Sequence, residues 1–283
     1  MKHSLHSSFY PHIDAKKFTA VVKKLRQFFD ERGFLEVHTQ NRLSILAACE
    51  DPFNIRTFNY NKSTYPLPQT GQMWLEHELL TQPDEKGFYC VSTSYRNEAA
   101  PIEGRHCLIF PMFEFEFKGN MTDLALMETE LITFLGFKGY EYRNYEDVCK
   151  EYMINIIDNE AETKLYREVS DAVLLMNFPE RTNPFWNMKR HESNPELSKK
   201  IDVILCGQET IGSAERSCDK DQMRKTFFTI EDGKYADKLF ELFGRDRVMA
   251  ELNEFLANDF MPRVGGGIGI TRLIRAMELN NLV

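Results

Sequence analysis

The chain has no apolar run approaching the ~18 residues of a membrane-spanning helix, so no membrane partner is expected. Its N-terminal stretch, MKHSLHSSFYPHIDAKK, lacks the apolar core of a secretory signal. Cys-x-x-Cys pairs are missing too. The six cysteines (Cys49, Cys90, Cys107, Cys149, Cys206, Cys218) are scattered and form no close Cys/His cluster. That argues against structural zinc and for free thiols in a reducing cytoplasm. There is no repeat and no low-complexity linker. Basic charge is not in excess: 35 Lys and Arg stand against 43 Asp and Glu, a net charge of −8. Phosphate contacts need clustered cations, so this balance speaks against a broad nucleic-acid surface while leaving room for a local basic patch. What remains is an ordinary globular composition, 42% hydrophobic and 28% charged, in 283 residues that can bury a sizeable core. The expected organisation is a single domain over residues 1–283.

The densest chemistry lies between Tyr89 and Lys118, YCVSTSYRNEAAPIEGRHCLIFPMFEFEFK. It reads as two strands joined by a polar loop. Arg96 and Glu98 follow the first strand, and Arg105, His106 and Phe110 lead into the second. From Met112 to Phe117 aromatic or apolar residues alternate with Glu114 and Glu116. On a strand that places the acids on one face and the rings on the other. Two acids beside Arg96, Glu98, Arg105 and His106 are costly to bury as plain core, so the hairpin suits a charged ligand.

Elsewhere, Asp14 can cap a helix running to about Arg32, with Gly33 as its stop. Phe18, Val21, Val22, Leu25, Phe28 and Phe29 form its apolar stripe, and Phe34–Val37 reads as a strand. Glu50 sits in a short loop, either touching a substrate ammonium or simply solvated. Pro66–Gln72 precedes a helix from Met73 to Leu80. Residues 121–175 look helical and then mixed, with Met127, Leu131, Phe134 and Leu135 on one face. Phe178-Pro179 and Asn183–Trp186 suggest a strand and turn near a pocket, the aromatics serving mainly as core.

Asp202, Glu209 and Arg216 are separated by seven residues each, across a turn at Gly207. Two strands folded at that turn can bring them to one face. Facing carboxylates repel unless a cation lies between them, and Mg²⁺ takes such oxygen ligands together with phosphates and water. The alternative is a polar hairpin whose acids pair with nearby lysines. Near the C-terminus, Gly265-Gly-Gly-Ile-Gly269-Ile-Thr-Arg272 runs into an apolar helix. Glycines let a backbone lie flat under a ligand, and a helix start favours anions. A purely structural strand-to-helix turn would look similar.

Arg96-x-Glu98, the loop, Arg105-His106 and Phe110 with the acid-bearing strand resemble motif 2 of class II aminoacyl-tRNA synthetases. GGGIGxxR before the terminal helix resembles motif 3. Helix, Gly33 and FLEV resemble motif 1, although its usual proline is absent where Gln40 follows Thr39. The resemblance covers nearly the whole chain and points to the aspartate/asparagine branch, and to the ammonia-dependent asparagine synthetases derived from the same core. It implies an α+β fold, an antiparallel sheet flanked by helices, acting as a homodimer with ATP and Mg²⁺.

The roles it implies are these. Arg96 and Arg272 are catalytic. ATP is held by Arg96, Glu98, Arg105, His106, Phe110, Gly267, Gly269 and Arg272, and the metal by Asp202 and Glu209. An Asp- or Asn-like amino acid is bound by Glu50, Gln72, Glu114 and Arg216. In this picture Glu114 could accept from a side-chain amide, and adenine stacks on Phe110. Three departures stand out: Leu75 replaces the carboxylate-pairing lysine of aspartate enzymes and Gly212 their serine, both nearer the asparagine branch than the aspartate one, and Ile109 replaces the glutamate before the stacking ring. The chain starts almost at motif 1, leaving no length for an anticodon-binding barrel. The expected activity is therefore formation of an aminoacyl adenylate and transfer to ammonia or another amine. Transfer to tRNA (possible, not favoured) or to a protein, and a non-catalytic binding paralogue, are the alternatives.

Overall fold

A computed structural model describes residues 9–10, 12–40, 42–46 and 52–283. Glu50 lies outside these described residues. Helix α1 (Ala15–Glu31) begins where expected: the Asp14 carboxylate accepts from the backbone N–H of Lys16 at 2.8 Å and of Lys17 at 3.0 Å. Two donors left open by the first turn are thereby satisfied. The helix stops before Gly33, whose φ of +77° is in the left-handed region that glycine enters cheaply. The stripe Val21, Val22, Leu25, Phe28 and Phe29 is buried. The Phe29 ring lies 5.1 Å from that of Phe113 and 5.2 Å from that of Phe115. Burying such a side chain contributes roughly 1.5–3 kcal/mol.

The remaining elements are β1 (Leu35–Glu36), β2 (Arg56–Tyr60), β3 (Ser63–Leu67), α2 (Gln72–Thr81), β4 (Gly87–Tyr95), β5 (Ile109–Lys118) and α3 (Met121–Leu135). Then come β6 (Glu141–Asn144), α4 (Tyr145–Tyr152), α5 (Asn159–Glu168), β7 (Ala172–Pro179), β8 (Leu197–Leu205) and β9 (Gln208–Glu215). The chain closes with α6 (Lys220–Thr229), α7 (Lys234–Phe243), α8 (Arg245–Leu256), β10 (Arg263–Gly269) and α9 (Ile270–Leu279). Among the described residues an eight-stranded sheet has the order β1-β4-β5-β10-β9-β8-β7-β6. It is antiparallel except for the outer pairs β1–β4 and β6–β7. The sheet is the expected α+β architecture, although the strand foreseen over 34–37 pairs only through Leu35 and Glu36.

Alternation along β5 decides what each face carries. Phe113 and Phe115 enter a core shared with α1, α3 and α9. Glu114 and Glu116 point to the opposite face and are fully buried there. On that face α2 packs over β4 and β5. A lobe of α6, α7 and α8 closes around Trp186, whose ring lies 5.5 Å from Phe227 and 5.6 Å from Phe255. The glycine-rich β10 runs between β5 and β9. A Cβ at Gly265 would stand 1.8 Å from the Glu116 carboxylate and 2.5 Å from the Phe115 carbonyl oxygen. Only glycine allows the neighbouring acid to lie this close over the strand. The result is a low floor in the middle of the sheet with walls on either side.

Candidate active site

That floor underlies a cavity of about 440 Å³. Arg96, Glu98, Arg105, Phe110, Glu114, Glu209, Arg216, Gly267, Gly269, Gln72 and Arg272 all line it. Residues spread over nearly two hundred positions thus meet in one space. The guanidinium of Arg96, just past β4, lies 5.6 Å from the centroid of the Phe110 ring. Its backbone N–H donates to the Leu108 carbonyl at 2.8 Å, which fixes the strand ends relative to each other. Arg272, in the first turn of α9, donates to the Glu209 carbonyl at 2.6 Å and lies 3.9 Å from the Glu209 carboxylate.

His106 sits differently from the sequence-based expectation. Its Nδ1 is paired with Glu98, and the residue lines a neighbouring crevice of about 380 Å³ with Lys17 and Arg275. Arg105 borders both spaces. It pairs with Glu162 of α5 and donates to the Gly207 carbonyl at 3.1 Å. Burial pulls the Arg105 pKa down despite Glu162, and nearby Arg272 and Arg275 add to the fall. Burial first, and Glu209 second, push Glu162 up. Glu162 was invisible in the sequence because α5 carries acids all around it.

The pairing of β8 with β9 shifts register between Val203 and Ile204. Next to this bulge, which breaks the simple alternation, Glu209 and Thr210 are both among the cavity-lining residues. Glu209 Oε1 and Asp202 Oδ1 lie 3.0 and 3.6 Å from the point where a Cβ on Gly212 would stand. The missing side chain leaves a gap bordered by two carboxylates, oxygen donors of the kind a divalent cation takes. Asp202 also accepts from Lys200 Nζ at 2.9 Å. One acid of the hairpin thus has a lysine partner, as the polar-hairpin reading expects, and it still borders the gap. Among the described residues no group of three or more His, Cys, Asp or Glu could hold a metal by itself, so the remaining ligands of a bound ion would be phosphate oxygens or water.

At the other end, Arg216 donates to Glu116 from Nη2 at 3.2 Å, and its Nε lies 3.7 Å from Glu76. Gln72 donates to Glu116 and, at 2.9 Å, to the Phe115 carbonyl. Burial drives the Glu116 pKa upward against the pull of Arg216. Glu114 is buried, and its oxygens accept from the Thr70 hydroxyl, the Gly71 N–H at 2.9 and 3.0 Å, and the Ser92 hydroxyl at 2.6 Å. Its pKa is raised by burial, against those donors. Thr70, Ser92, Glu76 and Lys200 were not picked out from the sequence. Each is a common residue type with no spacing signal. Thr182 to Phe185 line the cavity as the turn reading suggested, and Trp186 is core.

Residues 13–281 match the family described as tRNA synthetases class II (D, K and N). A lysine--tRNA ligase of Christiangramia forsetii is 24% identical over 91% of this chain and 52% of its own length. An aspartate--tRNA(Asp) ligase of Pyrococcus abyssi is 23% identical over 93% of this chain and 65% of its own. The asparaginyl-tRNA synthetase of Pyrococcus horikoshii, solved with asparaginyl-adenylate, superposes with a TM-score of 0.77 at 17% identity, over 94% of this chain and 65% of that one. The enzyme from Entamoeba histolytica, also with asparaginyl-adenylate, gives 0.71 at 16% identity, over 93% of this chain and 63% of that one. At these identities the structural matches establish a shared fold. The chain spans between about half and two thirds of the length of these proteins.

Proposed function

The chain belongs to the class II tRNA synthetases of the D, K and N group, and from that premise we propose that it activates an Asp- or Asn-like amino acid with ATP. The product is an aminoacyl adenylate, which an amine such as ammonia then captures. The observation that carries the reading is the convergence of Arg96, Arg272, Glu209 and Phe110 on one cavity.

In this reading adenine stacks on Phe110. The Arg96 guanidinium faces the α-phosphate and the attacking carboxylate, neutralising charge as the pentavalent phosphorus develops. Arg105 and Arg272 hold the outer phosphates. The amino-acid carboxylate is already ionised at neutral pH, so no general base is needed. It attacks the α-phosphorus, the bond to the β-phosphate oxygen breaks, and pyrophosphate leaves. Asp202 and Glu209 would hold Mg²⁺, which screens phosphate charge and aids departure of the leaving group. Catalysis is mostly positioning and electrostatics. Transfer then needs an amine nitrogen to attack the acyl carbon and expel AMP, with loss of one proton from nitrogen.

A second reading, transfer to tRNA, is favoured by the names of the relatives, all tRNA ligases. Homodimerisation and a cytoplasmic location belong to the proposal too. The exposed Leu35 on the edge strand β1 supports the first, and the scattered cysteines support the second. The test is AMP release from ATP and aspartate or asparagine, alone, with ammonium, and with total tRNA. Release stimulated by ammonium supports amine transfer. Release stimulated only by tRNA supports the second reading, and no release under any condition refutes both.

A further inference from the structure

We propose that Lys200 is a specificity residue of this cavity: with Arg216 it selects a substrate whose side chain ends in a carboxylate. The inference rests on the activation reading and deepens it, because it names which of the two related side chains the site takes.

The sheet register gives the position. Lys200 pairs with Ala214, Ala214 with Gly265 and Gly265 with Glu116. Phe110, where the base stacks, lies six residues earlier on the same strand as Glu116, a span of about 20 Å at the rise of a β-strand. A nucleotide and a small amino acid fit end to end along such a span. By backbone register Lys200 therefore stands in the row of Glu116, which Arg216 contacts, well removed from the base, and its ammonium reaches along β8 to Asp202. Lys200 and Arg216 both line the cavity, with Phe185 and Met188. The Lys200 side chain has 19% of its surface accessible, and its Nζ is 4.2 Å from the centroid of the Phe178 ring. Asp202 anchors it at 2.9 Å. A partly buried ammonium already anchored by a carboxylate loses less freedom than an exposed one when an anion arrives.

The neighbouring acids complete the argument. An amide-reading site needs an acceptor for the side-chain NH₂. Glu114 was the residue expected to supply it, yet two hydroxyls and a backbone N–H already engage its oxygens. Glu116 is engaged by Arg216 and Gln72. A lysine substrate would bring its ammonium against Lys200 and Arg216, a like-charge contact that disfavours binding. The lysine that position 75 lacks has a counterpart here, supplied from β8 in place of α2.

The experiment is calorimetric binding of L-aspartate, L-asparagine and L-lysine to the whole protein with a non-hydrolysable ATP analogue, repeated with Lys200→Met and Lys200→Arg. Wild type is expected to bind aspartate most tightly. Lys200→Met should weaken aspartate about 10- to 100-fold, the range of one hydrogen bond to a charged group, while changing asparagine less than about threefold. Lys200→Arg should recover part of the loss. Tighter binding of asparagine or lysine to wild type overturns the inference, as does equal weakening of aspartate and asparagine in Lys200→Met, or failure of aspartate to bind. If aspartate binds with this Lys200 dependence but supports no pyrophosphate exchange, the activation reading fails and the inference stands.

Discussion

Arg263 and Glu76 form an ion pair with both side chains wholly shielded from solvent, Nη2 to Oε2 being 2.8 Å. The same carboxylate accepts from Asn187 at 2.6 Å and lies 3.7 Å from Arg216. Two cations thus converge on one buried acid beneath the amino-acid end of the cavity. Removing one partner of such a set leaves a charge stranded in low dielectric, at a cost of about 3–5 kcal/mol. Glu76→Ala should lower the unfolding free energy by that amount in a urea titration. A loss below ~1 kcal/mol would show that the network is dispensable for the fold.

Glu128 offers a pH signature. It lies on α3 in the sheet–helix core, fully buried, and burial pushes its pKa up to about 8; the Ser213 hydroxyl offsets this only in part, and the Asp202 charge adds to it. A carboxyl raised in the folded state binds its proton more tightly there than in the unfolded chain. Its stabilising effect is therefore complete below the unfolded value near 4.5 and is lost as pH climbs towards 8. Glu128→Gln should abolish this slope and exceed wild type by roughly 2–4 kcal/mol above pH 8. Denaturation midpoints at pH 5, 7 and 9 measure the difference, and parallel profiles would contradict it.

Two glycines should behave differently. At Gly265 an alanine Cβ would overlap the Glu116 carboxylate and the Phe115 carbonyl, which are strand neighbours unable to retreat. Gly265→Ala is expected to yield little folded protein. At Gly212 the nearest atom is the Glu209 carboxylate at 3.0 Å, the end of a flexible side chain. Gly212→Ala should keep its thermal midpoint within a few degrees and weaken Mg²⁺-dependent ATP binding at least several-fold. Circular dichroism and nucleotide calorimetry separate the two outcomes.

Much of the cavity was legible because its chemistry is tied to local patterns. The alternation of Phe113, Glu114, Phe115 and Glu116 set the two faces of β5, and Asp14 with Gly33 set the limits of α1. The glycines of β10 and the turn at Gly207 marked where backbone approaches backbone. What stayed hidden depends on contacts across the sheet. Lys200 reads as one more charge in a Lys-Lys pair, and only the β8–β9–β10–β5 register places it beside Arg216. Glu114 looks like a free acceptor until Thr70, Gly71 and Ser92 are seen around it. His106 follows Arg105 in sequence, but the loop turns it to Glu98 and the neighbouring crevice.

Charge placement at the phosphates makes a kinetic prediction. Replacing a preorganised cation that meets developing charge typically costs ~10²–10³ in rate. Arg96→Gln should lose that much in kcat for adenylate formation while ATP binding weakens far less. Phe110→Ala should do the reverse, raising the KM for ATP with kcat nearly intact. Equal effects of both substitutions on kcat and KM would argue against the assigned roles.

The sharpest measurement of adenylate formation by this cavity is amino-acid-dependent exchange of labelled pyrophosphate into ATP, surveyed over the standard amino acids. Exchange is expected with aspartate, more weakly with asparagine, not with lysine, and with no amino acid in Arg96→Gln. Protein that binds ATP–Mg²⁺ yet exchanges pyrophosphate with no amino acid would contradict it.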